Sequence, residues 1–94
     1  MKNEDRYYVY SIYSDGKLLY IGKGCGGRME THLEGKSNNV DLNALFFNGE
    51  ELYGVKIKEG LSNARAKLLE AQLIKMDKPP CNKVVPRITE DIYL

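Results

Sequence analysis

Ninety-four residues, 43% apolar and 29% charged, with three prolines and nine glycines, suit one domain of about one helical layer on one small sheet. That composition excludes a second domain, a low-complexity chain and long disorder. A net charge of +1 gives no global positive field, so any nucleic-acid binding must rest on local clusters of charge. In chain order, MKNEDR carries four charges and leads into no apolar run of signal-peptide length, and no segment reaches the roughly 18 apolar residues of a membrane span. Residues 7 to 13, YYVYSIY, are aromatic and β-branched, SDG interrupts, and KLLYIG resumes, which reads as a hairpin of two strands.

The turn decides which side chains share a face. With Asp15 and Gly16 alone in the loop, Tyr10 pairs with Ile21, and Tyr10 and Tyr20 point to opposite faces. With Ser14, Asp15 and Gly16 in a three-residue loop, Tyr10 lies directly across from Tyr20. Both turns are sterically allowed.

The following stretch, LYIGKGCGGRMETH, places Gly22, Gly24, Gly26 and Gly27 beside Lys23, Arg28 and His32, the one histidine of the chain. Gly22-x-Gly24-x-x-Gly27 matches the dinucleotide fingerprint in form, and Asp41 lies at about the right distance downstream. Its context is wrong, because the preceding strand is a hairpin arm and Asp41 sits among asparagines in loop or cap sequence. No GxxxxGK[ST] loop exists either. What remains is a strand end that another chain can approach closely, with a rigid guanidinium fork and a mobile ammonium nearby. Arg28 and His32, four apart, share a face of a helix over 28–33 that Gly35 ends.

Residues 36–40 read as polar loop, Asp41 as the cap of a short helix reaching Phe47, and Asn48-Gly49 as a turn. Residues 52–58 alternate weakly and suggest a third strand. Ser62 is an N-cap candidate for the clearest helix, 63–76, which Pro79 and Pro80 stop. On that helix Ala66, Glu70, Leu73 and Ile74 share one face, so Glu70 stands in an apolar stripe turned toward the sheet. A carboxylate there needs a salt bridge, to Arg28 or Lys23, or a metal such as Mg²⁺ held through one carboxylate, water and phosphate. Residues 60–87 hold Arg65, Lys67, Lys75, Lys78, Lys83 and Arg87 against Glu70 and Asp77, consistent with a phosphate-facing side or a solvated helix face. Residues 84–94 add a strand or cover the core. Cys25 and Cys81 form no CxxC pair and cannot complete a structural zinc site with one histidine, so they read as free thiols of a reducing compartment.

Taken together, Tyr8-Val9-Tyr10, Tyr20-Ile21-Gly22, Lys23, Arg28, His32, Glu70 and Asn82 resemble the GIY-YIG nuclease superfamily over about residues 7–83. The resemblance implies an α/β (α+β) fold: a small three-stranded antiparallel sheet flanked by helices, forming a single domain over 1–94 with a core at about 7–83 and a short C-terminal tail. It implies a metal-dependent DNA endonuclease, structure- or sequence-selective, that uses Mg²⁺ or Mn²⁺; the little spare surface of so short a sequence favours selection by DNA shape. Glu70 would hold the metal, Arg28 would stabilise the five-coordinate phosphorus, and Tyr10 would serve as general base, aided by Lys23 or the metal. His32 would orient or relay the proton, Tyr20 would position water or phosphate, and Asn82 would fix the geometry. Lys23, Arg28, Arg65 and Lys67 would contact nucleic acid. The expected partner is DNA and not a membrane, with a homodimer or partner protein for target selection, in the cytoplasm or at a bacterial or viral nucleoid. One departure stands out: Tyr8 occupies the position of the first motif's glycine, which is assigned to strand packing. A catalytically inactive nucleic-acid-binding or protein-interaction module of the same fold is the competing reading. In a nuclease, Tyr10, Tyr20, Arg28 and Glu70 converge, which requires the three-residue turn; in a module, Glu70 is free to sit in a permanent salt bridge.

Overall fold

The computed structural model describes residues 5–82. Strands β1 (Tyr7–Ser14) and β2 (Lys17–Gly24) form the hairpin, followed by helices α1 (Arg28–Leu33) and α2 (Val40–Phe47), strand β3 (Tyr53–Leu61) and helix α3 (Asn63–Asp77). The sheet is antiparallel in the order β2-β1-β3, with β1 at its centre. A small antiparallel sheet flanked by helices is therefore the architecture. The expected strand or cover over 84–94 lies outside the described residues.

The hairpin reaches the expected outcome by a different route. Asp15 and Gly16, at φ 53° and 75°, form a two-residue turn closed by the Ser14–Lys17 pair, the primed type whose twist suits a hairpin. That turn alone would pair Tyr10 with Ile21. The ladder shifts, however, between Tyr13–Leu18 and Ile12–Tyr20, leaving Leu19 as an extra residue on β2. Beyond this bulge Tyr10 pairs with Gly22 and Ile12 with Tyr20, so Tyr10 and Tyr20 share a face as diagonal neighbours. The three-residue loop and the direct Tyr10–Tyr20 pairing are both corrected. The bulge is stabilised from the tail of α3, where the Cys81 N–H donates to the Leu19 carbonyl at 2.8 Å.

Each sheet face has its own core. Tyr8, Tyr10 and Ile12 pack with Met29, Leu42 and Cys81 on one side. Val9, Ile21 and Leu61 pack with Ala66 and Ile74 of α3 on the other. Ser62 caps α3, its Oγ accepting the Arg65 N–H at 3.1 Å. The cap of α2 is Asn39 and not Asp41: Asn39 Oδ1 accepts the Leu42 N–H at 3.0 Å, and Asp41 falls in the first turn. Strand β3 runs to Leu61, past the expected Lys58, because irregularities in the ladder beside Val9 let the strand continue through Glu59 and Gly60 to the Tyr7–Leu61 pair.

Candidate active site

On the face shared by Tyr8, Tyr10 and Ile12, three rings meet. Tyr10 and His32, each 1% exposed, have centroids 5.7 Å apart; Tyr20 lies 6.3 Å from Tyr10 and 5.2 Å from His32. Gly22 makes the arrangement possible, since a Cβ there would stand 2.5 Å from the Tyr10 hydroxyl oxygen. Arg28, exposed at the start of α1, runs its stem over Gly24, which likewise has no room for a Cβ. The guanidinium charge acts on Tyr10, Tyr20 and His32 together.

Burial sets the protonation of these groups. It raises the Tyr10 pKa well above the ordinary phenol value, reinforced by Tyr20 and opposed by Arg28. Tyr20 is also raised, by burial and then by the charge of Glu70, with Arg28 again opposing. His32 is lowered from the usual 6.5 by burial and then by Arg28, which favours the neutral imidazole. The Nδ1 of His32 lies 2.6 Å from Ser37 Oγ, and that hydroxyl oxygen accepts the Asn39 N–H at 2.8 Å. The other ring nitrogen, Nε2, is buried and has no hydrogen-bond partner among the described residues.

Glu70 belongs to α3, on the opposite side of the sheet, between buried Ala66 and Ile74. Its charge acts on Tyr20, and the charges of Lys23 and Lys67 act on it. Burial raises its pKa, opposed by Lys23 and Lys67. Among the described residues the one ion pair within 4 Å is Lys36–Glu34, so the salt bridge from Glu70 to Lys23 or Arg28 does not form. Lys23 instead donates to Asn63 Oδ1 at 2.9 Å and sits 5.5 Å from the centre of the Tyr7 ring. Opposite Val9 in the ladder, it occupies the other face from Tyr10 and Gly22.

Asn82 holds the β2 edge. Its Oδ1 accepts the Ile21 N–H at 2.8 Å and its Nδ2 donates to the Ile21 carbonyl at 2.9 Å, so one side chain replaces a neighbouring strand beside Tyr20. Arg65 and Lys67 are exposed on α3, Lys67 close enough to Glu70 to influence its charge.

Several residues that shape the site escaped the motif reading. Lys56, opposite Tyr10 on β3, places its ammonium 4.4 Å from the centre of the Tyr8 ring. Asn39 links the His32–Ser37 pair to the segment after α3 through Nδ2, which donates to the Cys81 carbonyl at 2.9 Å. The cluster Ser37-Asn38-Asn39 carried a signal, a run of small polar residues suited to local hydrogen bonds. Lys56 could have been found only from the strand register.

This constellation sits on an architecture seen in solved structures. The N-terminal GIY-YIG endonuclease domain of UvrC from Thermotoga maritima, bound to its catalytic divalent cation magnesium, aligns with a TM-score of 0.57 at 24% identity, over 87% of this chain and 99% of that one. The chain has the GIY-YIG endonuclease domain fold. Two point variants of the same UvrC domain, also bound to the divalent cation, give TM-scores of 0.57 and 0.55 at 22% and 23% identity, over 87% and 86% of this chain and 99% and 97% of theirs. No family model and no curated protein matches the sequence. Within the GIY-YIG fold of this chain, no group of three or more His, Cys, Asp or Glu is arranged for a metal among the described residues, and no described helix is long and apolar enough to cross a membrane. Glu70 is a single carboxylate, half-buried and without an ion pair among the described residues, which suits a Mg²⁺ ion that keeps most of its ligands as water and phosphate oxygen.

Proposed function

We propose that the protein is a metal-dependent DNA endonuclease that hydrolyses a phosphodiester bond. The observation that carries this reading is Glu70: a half-buried carboxylate in an apolar stripe, its charge acting on Tyr20, with no ion pair among the described residues and with Lys23 bonded to Asn63. A packing role would have given it a salt bridge.

Glu70 would hold Mg²⁺ or Mn²⁺, which as a Lewis acid lowers the cost of negative charge on the phosphate and leaving oxygen. Arg28 stabilises the charge that grows on the phosphoryl oxygens during attack. Tyr10, with its proton held tightly by burial, orients the attacking water by hydrogen bonding. His32, neutral, with Nδ1–H given to Ser37, would take the water proton at Nε2, an atom the free protein encloses and substrate binding would open to water, while the water oxygen bonds to phosphorus and the bond from phosphorus to the leaving oxygen breaks, that oxygen taking a proton from solvent. Tyr20 positions water or phosphate, and Asn82 fixes the strand that carries Tyr20. This assignment moves the base from Tyr10 to His32, because raising a phenol's pKa and lowering an imidazole's favours the imidazole as proton acceptor near neutral pH. Lys23, Lys67 and Arg65 contribute phosphate contacts at the flank. The target is DNA of altered shape, since a domain this small has little surface for reading a long sequence. A second copy or a partner protein supplies paired cuts.

Cleavage of nicked, branched, flapped and linear DNA in Mg²⁺ tests the reading. Wild-type protein cuts and Glu70→Gln binds DNA without cutting; equal cutting by both, or binding without cutting by the wild type, overturns it. The pH profile tests the base. With His32 neutral as the acceptor, rate falls as pH drops through a midpoint below 6.5 and is flat above it. A rate that keeps climbing toward pH 10 returns the role to Tyr10.

A further inference from the structure

We propose that Tyr8 is a positioning residue for Arg28, an inference that rests on the nuclease reading above. Its hydroxyl donates to the Gly26 carbonyl at 2.6 Å and accepts the Met29 N–H at 3.1 Å, so one oxygen ties down both sides of the turn that presents Arg28. The other ties of the turn are local, the Arg28 N–H to the Cys25 carbonyl at 3.3 Å and the Thr31 N–H and Oγ1 to the Gly27 carbonyl at 3.2 and 3.0 Å, whereas Tyr8 anchors it to the central strand. Helix α1 is six residues long and its cap residue, Gly27, offers no side-chain hydrogen bond. Gly26 adopts φ +59°, and the glycines around it leave the loop without side chains to hold it.

Tyr8 is itself fixed. It is 4% exposed, its ring meets Tyr10 edge-on at 5.7 Å, and Lys56 covers it. The hydroxyl therefore transmits the position of the central strand to a loop of low intrinsic order, and so to the exposed guanidinium that serves Tyr10, Tyr20 and His32. A glycine here, as in the resembled first motif, could make neither hydrogen bond. Strand packing, the role first assigned to this position, accounts for the ring but not for the hydroxyl.

Tyr8→Phe isolates that hydroxyl, keeping the ring and the seat of Lys56. The expected kcat on a preferred DNA is about ten- to a hundredfold lower with KM nearly unchanged, because Arg28 is mispositioned for the transition state while the binding surface stays. In an Arg28→Ala background the same change has no further effect on kcat. The Met29 amide exchanges hydrogen about tenfold faster in Tyr8→Phe, with Val9 at its wild-type rate. Equal losses in both backgrounds would mean general weakening of the fold and overturn the proposal, as would an unchanged kcat. Met29 exchange is read whether or not the protein cuts DNA: a wild-type rate in Tyr8→Phe overturns the hold on the loop, whereas failure of the wild type to cut, with Met29 exchange accelerated, overturns the nuclease reading alone.

Discussion

Beneath α3 the sheet presents Val9, Ile21 and Leu61 to Ala66 and Ile74, while the next residues along β1 and β2, Tyr10 and Tyr20, meet His32 on the far side, with Tyr8 against Tyr10 and the Arg28 charge acting on Tyr10, Tyr20 and His32. Alternation along a strand separates an apolar contact that holds the domain together from a polar cluster able to do chemistry. The separation depends on register, because a slip of one residue would carry Tyr20 under the helix and Ile21 into the cluster. From the α3 side the charge of Glu70 reaches Tyr20, and among the described residues Glu70 makes no ion pair.

The sharpest way to break this division is to exchange the effects of substitutions on its two sides. Arg28→Ala is expected to lower kcat by about 100- to 1000-fold, the usual loss of a transition-state charge donor. Because Arg28 is exposed, its thermal unfolding should stay near wild type. Unchanged turnover would remove Arg28 from the reaction. Ile74→Ala, 7% exposed under α3, is expected to cost about 2–4 kcal/mol in denaturant unfolding while the folded fraction keeps its turnover. Asn82→Ala sits between the two, removing both bonds to Ile21 at the sheet edge. Expected effects are about 1–3 kcal/mol of stability and faster exchange of the Ile21 amide; a stability equal to wild type would mean that water replaces the clamp at no cost.

The sheet-forming runs, the α3 cap at Ser62 and the odd placement of Glu70 were legible in the sequence, because each depends on residues within a turn or two of one another. The parity of the hairpin was not. Asp15-Gly16 specifies a two-residue turn, and the register is then reset by Leu19, whose carbonyl finds its donor in Cys81, 62 positions away. Separation along the chain also hid the roles of Tyr8, whose partners lie 18 and 21 positions away, and of Asn39, bonded 42 positions away. Tyrosine in a strand signals packing, and only the folded chain brings its hydroxyl to Gly26 and Met29. Asn39 outcompeted Asp41 as the α2 cap by serving two partners at once, Leu42 and Cys81. Short-range pattern therefore gave the elements and the unusual charge, and long-range hydrogen bonds set the register and the order of the loop.

The central claim is that Glu70 serves a cation and not the fold, and paired thermal melts of wild type and Glu70→Gln test it. Burial raises the Glu70 pKa, so its favourable contribution is present below about pH 4.5 and lost as pH rises through the folded value. At neutral pH in a chelator the neutral glutamine should therefore melt no lower than wild type, and Mg²⁺ should raise the melting temperature of the wild type but not of the variant. A variant that melts several degrees lower in chelator, with the same response to Mg²⁺ as wild type, would mean that Glu70 is a structural charge and would contradict the account.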